Sequence, residues 1–382
     1  MTRPYGVLLV SFSRHSHQSS FVPLYQAHPR TRIVAVADED GEIDEPLRQV
    51  NRRWARDLGV PYLPTVEDGL RRDDVDIVSI AHEIERRAGL AVRGAGAGKH
   101  LWIDKFMGAT VDECDAVVHA VAAAGVRALV PSFHYGSLVS HALQALRTDP
   151  VGELLGVHVD AMFSKGWPRP IADEDRRPFR PAGRWKFDEV KRELLTVGSY
   201  AVGLVQACLD QPVARVAGHG GAFFFPEHAR TGTEDFGTLL MSDAAGRTAT
   251  ICGGRIGVAT HPGGGPLRAV LVGSRGTLTI DAKRPAAQAF LRPDIVETRY
   301  KPNPDDWMQW ASGPPVLNPS LSGDSAGLAD GLEELVSALD EDREPSYPVA
   351  RARDNMEVLL AGYQSICEGG AVVDLPLPRG RA

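Results

Sequence analysis

The sequence predicts an α/β protein in which a doubly wound parallel sheet is followed by an α+β domain with a large open, mainly antiparallel sheet. Apolar strands alternate with helical patterns up to about residue 131, and β-patterned segments then follow one another between residues 213 and 280. With 382 residues, 43% of them hydrophobic, the chain can build two cores. We therefore divide it into residues 1–131 and residues 132–382.

The first domain is predicted from the alternation of buried strands with helices. Five apolar runs have the length and composition of buried strands: 6–12, 32–37, 75–81, 101–103 and 127–130. Thr110 and Glu113 form a capping box that opens an Ala/Val-rich helix ending near Gly125. Because helical patterns separate these strands, we expect the strands to run parallel, with helices on both faces.

The second domain is predicted from strands in succession. Six segments have strand patterns: 153–163, 213–219, 236–241, 248–252, 268–272 and 277–280. Helical periodicity marks four more: 138–147, 187–209, 326–339 and 352–367. Glycine, proline and aspartate separate the strands, which favours an open antiparallel sheet.

Composition and charge exclude several classes of partner. The 42 Lys and Arg residues against 49 Asp and Glu residues give a net charge of −7, without a basic block that could follow a nucleic-acid backbone. No apolar stretch approaches the length of a membrane span, and the first residues lack the pattern of a signal peptide, so we expect a cytoplasmic protein without nucleic-acid or membrane partners. The four cysteines lie far apart and form no C-x-x-C pair.

The turn after the first strand lacks the glycines of a dinucleotide-binding βαβ unit. It reads Ser11-Phe12-Ser13-Arg14-His15-Ser16-His17, with serine at all three glycine positions of the G-x-G-x-x-G pattern. Serine hydroxyls can donate to phosphate, and the next helix still presents its unpaired amides and positive dipole end. Arg14 can also pair with a phosphate oxygen. We therefore expect nucleotide binding to be weakened rather than lost.

Six passages together resemble the glucose-fructose oxidoreductase, inositol dehydrogenase and rhizopine-catabolism (Gfo/Idh/MocA) family over nearly the whole chain. They are VAVADED at 34–40, VDIVSIA at 75–81, AGKHLWIDK at 97–105, LLTVGSYAVGL at 194–204, VGSRGTLTID at 272–281 and GYQSICEGGAVVDLPL at 362–377. The resemblance implies a Rossmann domain, and NAD(H)- or NADP(H)-dependent oxidation or reduction of a hydroxyl-bearing carbon on a sugar, cyclitol or similar small molecule. It also implies a homodimer or homotetramer formed through the exposed sheet face.

The resemblance places three catalytic candidates. Asp104-Lys105-Phe106 stands where the family usually has Glu-Lys-Pro, so the lysine is kept, whereas the proline and its cis bond are expected to be lost. Lys105 would polarise the reacting oxygen. Thr196 and Tyr200 replace the family's aspartate and histidine, and Tyr200 would move the proton if the Lys105 ammonium makes the phenol more acidic. Alternatively, Lys105 is salt-bridged at a strand end and Tyr200 only packs.

Asp38 ends the second strand, where a carboxylate accepts hydrogen bonds from the adenosine ribose and repels a 2′-phosphate. This favours NAD as the cofactor, although a solvated acidic turn would have the same sequence. The predicted cofactor-binding residues are Ser11, Ser13, Arg14, His15, Ser16, Asp38, His82 and Lys105.

Aromatic and cationic residues near the expected cleft would suit a hydroxylated or carboxylated ligand. The predicted substrate-binding residues are His134, Tyr135, Lys165, Trp167, Arg184, Lys186 and His261.

Two other functions stay open. A member without ordinary cofactor use could be a ligand-binding or accessory subunit. Alternatively, His15 and His17, with His82 and Glu83 at the same sheet edge, could hold a metal ion for metal-dependent or lyase chemistry, although two nearby histidines in a loop are more often simple turn residues.

Overall fold

A computed structural model gives the fold of the chain. It describes residues 3–13, 16–147, 151–180, 190–209, 211–257, 264–282, 286–291, 297–298, 311–312, 316–317 and 327–380. Within these residues the predicted fold class is confirmed, because a parallel sheet is followed by a larger, mainly antiparallel one.

The first sheet has six parallel strands in the order β3-β2-β1-β4-β5-β6 within the described residues. Its strands are β1 (Tyr5–Val10), β2 (Thr31–Ala37), β3 (Tyr62–Leu63), β4 (Ile77–Ile80), β5 (His100–Ile103) and β6 (Ala128–Leu129). The accompanying helices are α1 (Gln18–Ala27), α2 (Glu45–Leu58), α3 (Val66–Leu70), α4 (Ile84–Gly96) and α5 (Val111–Ala124). The central strands β1 and β4 are buried and mostly apolar, with Ser79 of β4 as a buried polar residue, because helices cover both faces of the sheet.

Local signals begin and end these helices where the sequence predicts. The Thr110 hydroxyl accepts the Glu113 amide at 3.2 Å, and α5 ends at Gly125 with φ +66°. At α2, which the pattern did not resolve, Asp44 accepts the Leu47 amide at 2.9 Å. Side-chain caps therefore fix where α2 and α5 begin, and a glycine in the left-handed conformation fixes where α5 ends.

The second sheet has nine strands in the order β16-β13-β12-β11-β7-β10-β9-β8-β17 within the described residues. Its strands are β7 (Leu154–Phe163), β8 (Val213–Gly221), β9 (Phe236–Asp243), β10 (Thr248–Arg255), β11 (Leu267–Gly273), β12 (Gly276–Asp281), β13 (Ala286–Leu291), β16 (Val316–Leu317) and β17 (Val373–Asp374), and a separate pair is β14 (Glu297–Thr298) with β15 (Ala311–Ser312). β7 and β10 pair in parallel, and the other pairs are antiparallel.

Helices cover one face of this sheet and connect it to the first domain. They are α6 (Pro131–His134), α7 (Ser137–Leu146), α8 (Glu193–Leu209), α9 (Pro226–Thr231), α10 (Leu328–Asp340) and α11 (Val349–Cys367). Glycines allow α8 to lie close to its neighbours: a Cβ on Gly253 of β10 would meet the Gly198 Cα at 3.1 Å, and one on Gly203 would overlap the Phe133 carbonyl. The close approach holds α8 directly against β10 and α6.

Helix α8 begins later than the predicted residue 187. Residues 187–189 lie outside the described part of the chain, and residues 190–192 are not helical. The buried Glu234 carboxylate accepts the Leu194 amide at 3.0 Å, and the Tyr363 hydroxyl lies 2.9 Å from the Leu195 amide. These two partners from distant segments fix the first turn at Glu193.

The last two helices contact both domains. Asp340 at the end of α10 accepts from the Tyr5 hydroxyl at 2.8 Å and pairs with Arg30 at 2.5 Å, whereas Arg353 of α11 pairs with Asp115 of α5 at 2.6 Å. The first sheet ends with β6 at Leu129 and the second begins with β7 at Leu154, and the C-terminal helices contact both parts. A domain boundary at residue 131 stays a prediction. No helix in the described residues is long and apolar enough to cross a membrane.

Candidate active site

The turn after β1 adopts the backbone that glycine usually provides. Ser11 has φ +64°, in the left-handed region, and its amide donates to the Ala37 carbonyl at 3.1 Å. The Phe12 amide donates to Asn51 Oδ1 at 2.8 Å, and the Phe12 ring stacks on Trp54 with 4.6 Å between centroids. Tertiary partners from α2 therefore hold a glycine-like turn in a sequence without glycine.

A carboxylate from β5 lies at the N-terminus of α1. Asp104 is fully buried, and its oxygens accept from the His17 amide at 3.0 Å and pair with the His17 ring at 2.8 Å. Burial by itself raises the pKa of Asp104, but Arg87, whose Nη2 is 3.3 Å from the carboxylate, and His17 together hold it below its usual range. Part of the positive end of α1 is thus neutralised from within the protein.

Asp38 is also fully buried. It accepts from His82 Nε2 at 2.9 Å and from Asn51 Nδ2 at 2.7 Å, and the second nitrogen of the His82 ring pairs with Glu83. Burial lowers the pKa of His82, but the two carboxylates outweigh it and raise the pKa to about 9. In this arrangement neither Asp38 nor His82 is presented to a ligand, so the predicted contact with a ribose would require both to move.

Lys105 joins the two domains. Its ammonium donates to the Thr196 carbonyl and to the Ser199 hydroxyl, the latter at 3.3 Å, and lies 4.1 Å from the centre of the Tyr200 ring. Only 5% of the residue is exposed, and burial lowers the pKa of Lys105 to about 7. An amine with this pKa can gain or lose a proton at neutral pH, as a general acid or base must.

The peptide bond between Lys105 and Phe106 is cis, which corrects the expectation that losing the proline would remove it. Hydrogen bonds from Arg87 and the packing of Phe106 hold this segment in place. The buried Arg87 guanidinium donates to the carbonyls of Asp104, Lys105 and Phe106, and the Phe106 side chain is buried in the core. Arg87 thus orders the segment that carries Lys105.

Tyr200 does not become more acidic, so that expectation is wrong. Burial raises the pKa of Tyr200 to about 12, and Asp104 adds to the rise. The Lys105 ammonium lies over the face of the ring, where it makes a cation–π contact instead of a hydrogen bond to the phenol oxygen. Phe163 packs on the same ring at 6.1 Å, and the Lys165 ammonium lies 5.9 Å from the centre of Phe163.

Two sequence signatures cover most of the chain. That of the Gfo/Idh/MocA oxidoreductase family, NAD-binding Rossmann fold, matches residues 12–132, and that of the Gfo/Idh/MocA C-terminal domain matches residues 139–279. The chain belongs to the Gfo/Idh/MocA family. The resemblance seen in the sequence is therefore confirmed, and this is an oxidoreductase family whose first domain binds NAD.

Solved structures share the fold of this Gfo/Idh/MocA protein. An oxidoreductase domain protein from Kribbella flavida superposes with a TM-score of 0.74 at 19% identity, over 98% of this chain and 100% of that one. The aldose-aldose oxidoreductase from Caulobacter crescentus, complexed with glycerol, gives 0.72 at 19% identity, over 98% and 100%. The WlbA dehydrogenase from Bordetella pertussis, in complex with NADH and UDP-GlcNAcA, gives 0.70 at 19% identity, over 99% of each chain. No curated protein matches the sequence.

The serine turn fits the diphosphate of NAD. Ser13 is 5% exposed, and its hydroxyl has no hydrogen-bond partner among the described residues. A buried hydroxyl without a partner is costly unless a ligand satisfies it, and it lies where a dinucleotide turn contacts phosphate. Ser16 Oγ lies 3.4 Å from the Gln18 amide at the start of α1. Arg14 and His15 lie outside the described residues.

The predicted substrate residues fall into three groups. His134 and Tyr135 are buried, and His134 stacks on Tyr347 with 4.5 Å between centroids and lies 3.2 Å from Asn355, so these two residues fill the contact between the domains. Lys165 and Trp167 are exposed on the loop after β7, with Trp167 82% exposed. The remaining three lie outside the described residues: Arg184, Lys186 and His261.

Two of the histidines considered for a metal site have carboxylate partners within the protein. His17 pairs with Asp104, and His82 lies between Asp38 and Glu83. Across the described ranges, no group of three or more His, Cys, Asp or Glu side chains could hold a metal ion. His15, the other member of the H-x-H pair, is not among those residues.

Sequence reasoning missed Glu193 and its neighbours. Glu193 is 1% exposed at the start of α8, with Arg255 Nη2 2.8 Å from Oε1 and His228 Nε2 3.9 Å from the same oxygen. The helical spacing from Glu193 to Thr196 and Tyr200 could have revealed it, since residues three and seven apart share a face. Arg255 and His228 give no such signal, because they come from a strand and a helix far along the chain.

Proposed function

We propose that this protein is an NAD(H)-dependent oxidoreductase that transfers a hydride to or from a hydroxyl-bearing carbon of a sugar, a cyclitol or a similar polyhydroxylated small molecule. The observation that carries the proposal is Lys105: a nearly buried amine with a pKa of about 7, at the carboxyl end of β5, held against α8 of the second domain. Open α/β sheets bind ligands at this edge.

Two of the similar structures support the substrate class. The Caulobacter crescentus protein is an aldose-aldose oxidoreductase complexed with glycerol, and the Bordetella pertussis dehydrogenase is complexed with NADH and a UDP-sugar. Both ligands carry hydroxyl groups, and an amine could accept the proton of such a group or return it.

We assign the proton to Lys105 rather than to Tyr200. As a neutral amine, Lys105 would accept the proton of the substrate hydroxyl during oxidation, and as an ammonium it would return that proton to the carbonyl oxygen during reduction. With a pKa raised to about 12, Tyr200 is a poor proton acceptor near neutral pH. Its ring and the Thr196 carbonyl would instead orient the amine. Nicotinamide, when bound, supplies the hydride acceptor or donor.

The serine turn after β1 would hold the coenzyme. Ser11, Ser13 and Ser16 would contact the diphosphate, with Arg14 and His15 as further predicted contacts. Asp38 and His82 stay predictions for the ribose side, and they require the buried pair to open. The buried state of Asp38 also favours a second candidate, a ligand-binding or accessory member of the family without redox turnover.

Calorimetry and turnover assays separate these two functions. The protein is titrated with NAD, NADH, NADP and NADPH, and then assayed by NADH absorbance with panels of aldoses, cyclitols and sugar acids. We expect binding of NAD(H) and turnover with at least one polyhydroxylated substrate. A folded sample that binds no nucleotide at millimolar concentration would overturn the oxidoreductase proposal and support the accessory role.

We also propose a homodimer or homotetramer formed through the open face of the second sheet. One row of paired residues crosses this face from Leu240 through Thr250 and His158 to Val270, and Leu240 is 53% exposed. The exposed apolar side chains of this row, Leu240 and Val270, favour association. Light scattering would test this, with a monomer at micromolar concentration as the contrary result. A cytoplasmic location stays a prediction.

A further inference from the structure

We infer that Glu193 is the positioning carboxylate of this site, acting on Lys105 in place of the acidic residue that the family often has at the position of Thr196. The inference rests on the proposed function for its catalytic meaning. Its physical content, an electrostatic effect of Glu193 on Lys105, can be measured without turnover.

The geometry of α8 places Glu193 on the face that meets Lys105. Glu193, Thr196 and Tyr200 are separated by three and four residues, so they lie along one side of the helix. The amine contacts the last two directly, through the Thr196 carbonyl and the Tyr200 ring. Glu193 lies one turn before Thr196, and its side chain is one methylene longer than that of an aspartate. A carboxylate is therefore kept on this face although Thr196 carries none.

The Glu193 carboxylate is buried and only partly matched. Arg255 is its ion-pair partner at Oε1, 2.8 Å away, and Oε2 has no hydrogen-bond partner among the described residues. His228 points its Nε2 at the Lys191 carbonyl, 3.1 Å away. Because burial lowers the pKa of His228 to about 4, its ring is neutral near pH 7 and does not neutralise the carboxylate.

Charged groups from several elements act on Glu193 and on Lys105. Glu193 is influenced by Arg255 of β10, Lys191 before α8, Lys105 of the first domain and Lys165 of the loop after β7. Burial raises the pKa of Glu193 above its usual value, and these four cations offset only part of that rise.

Lys105 is acted on by two carboxylates and two cations. After burial, Asp104 and Glu193 favour its protonated form, whereas Arg87 and Lys165 oppose it. Asp104 is already bound to His17 and Arg87. Glu193 is therefore the negative charge from the second domain that keeps the amine able to hold a proton near neutral pH.

Chemical labelling measures the effect directly. Acetic anhydride reacts only with a neutral amine, so acetylation of Lys105, followed by mass spectrometry between pH 5 and 10, reports its titration. In Glu193→Gln we expect the midpoint to fall by about one pH unit, the order of size for the loss of one nearby buried charge in an effective dielectric of ~20. Glu227→Gln, which removes an exposed carboxylate paired with Arg169, should leave the midpoint unchanged.

Relocating the carboxylate separates an electrostatic role from a structural one. Glu193→Gln combined with Thr196→Asp should return the midpoint of Lys105 to its wild-type pH. Glu193→Asp keeps the charge, so its midpoint should lie close to that of wild type. If Glu193→Gln does not fold, Glu193→Met serves as the test, because it removes the same charge without leaving a buried unpaired amide, and the same fall in the midpoint is expected.

An unchanged midpoint in a folded Glu193→Gln protein, or in Glu193→Met where that variant is used, would overturn the inference. If wild-type protein binds no coenzyme, the proposed function fails, yet the labelling result still decides whether Glu193 sets the titration of Lys105. In an active enzyme, the acid limb of the oxidation rate should move to lower pH by the same amount as the labelling midpoint.

Discussion

The two sides of the candidate site treat their buried charges differently. At the edge of the first sheet, Asp38 is matched by His82 and Asn51, and Asp104 by Arg87 and His17. On the α8 side, Lys105 rests on a carbonyl and an aromatic ring, and Glu193 has one paired oxygen. Matched buried charges hold structure in place, whereas incompletely matched ones keep a proton available. The comparison therefore supports our proposal that the chemistry takes place at the interface with α8.

The largest expected effect is on turnover, from Lys105→Met. We expect turnover to fall by about 10²–10⁴-fold, the usual contribution of a general acid or base, because methionine keeps the volume of lysine but carries no proton. Steady-state kinetics measures the loss. Coenzyme affinity, followed by calorimetry, should change by only a few fold, and undiminished turnover would remove Lys105 from the mechanism.

Arg87→Met tests whether the first side of the site is structural. The change leaves the buried Asp104 carboxylate without its main cation, so we expect the free energy of unfolding to fall by about 3–5 kcal/mol. Urea denaturation measures it. Arg93→Met is the matched control in the same helix: Arg93 pairs with Glu39 near the surface, so its loss should cost less than about 1 kcal/mol. Equal effects would mean that the burial of Asp104 is not what matters.

His82→Gln sharpens the comparison through pH. The pKa of His82 is about 9 in the folded protein and about 6.5 in an unfolded chain, so its contribution of about 3 kcal/mol is present below pH 6.5 and is lost as pH rises through 9. The contribution of Lys105 to stability depends on pH in the opposite direction. Because folding lowers its pKa from 10.5 to about 7, this contribution becomes more favourable as pH rises between these values.

The informative quantity is therefore the difference in unfolding free energy between wild type and His82→Gln. We expect it to shrink from pH 6.5 to above pH 9 in urea titrations. A difference that stays constant over this range would show that His82 is not charged between Asp38 and Glu83.

The smallest expected effect comes from Ser13→Ala. Its hydroxyl is buried and has no partner among the described residues, so its removal should leave the unfolding free energy of the coenzyme-free protein unchanged or raise it by up to about 1 kcal/mol. If the hydroxyl binds a phosphate, NADH affinity should fall by about 3–10-fold, the size of one hydrogen bond. Ser19→Ala, an exposed serine of α1, is the control for calorimetry. Equal NADH affinity in Ser13→Ala and wild type would exclude Ser13 from the coenzyme site.

Much of the fold could be predicted, and less of the site. The parallel sheet, the Thr110 cap of α5 and most strands of the second sheet follow from periodicity and local hydrogen bonding. Lys105 could be placed at the carboxyl end of β5. The internal partners of Asp38 could not be predicted, because His82 and Asn51 come from different segments. For the same reason, the rise in the pKa of Tyr200 was unforeseen: only burial reveals it.

The sequence by itself determined the order of strands and helices, the family and the position of Lys105, because each of these depends on short-range patterns along the chain. Only the tertiary structure decided which charges are matched and which are not. Pairs such as His17 with Asp104, or Glu193 with Arg255, depend on how distant segments pack, and the cost of burying a charge is set by that packing. The same turn of serines therefore became a glycine-like bend because α2 and β2 supply its partners.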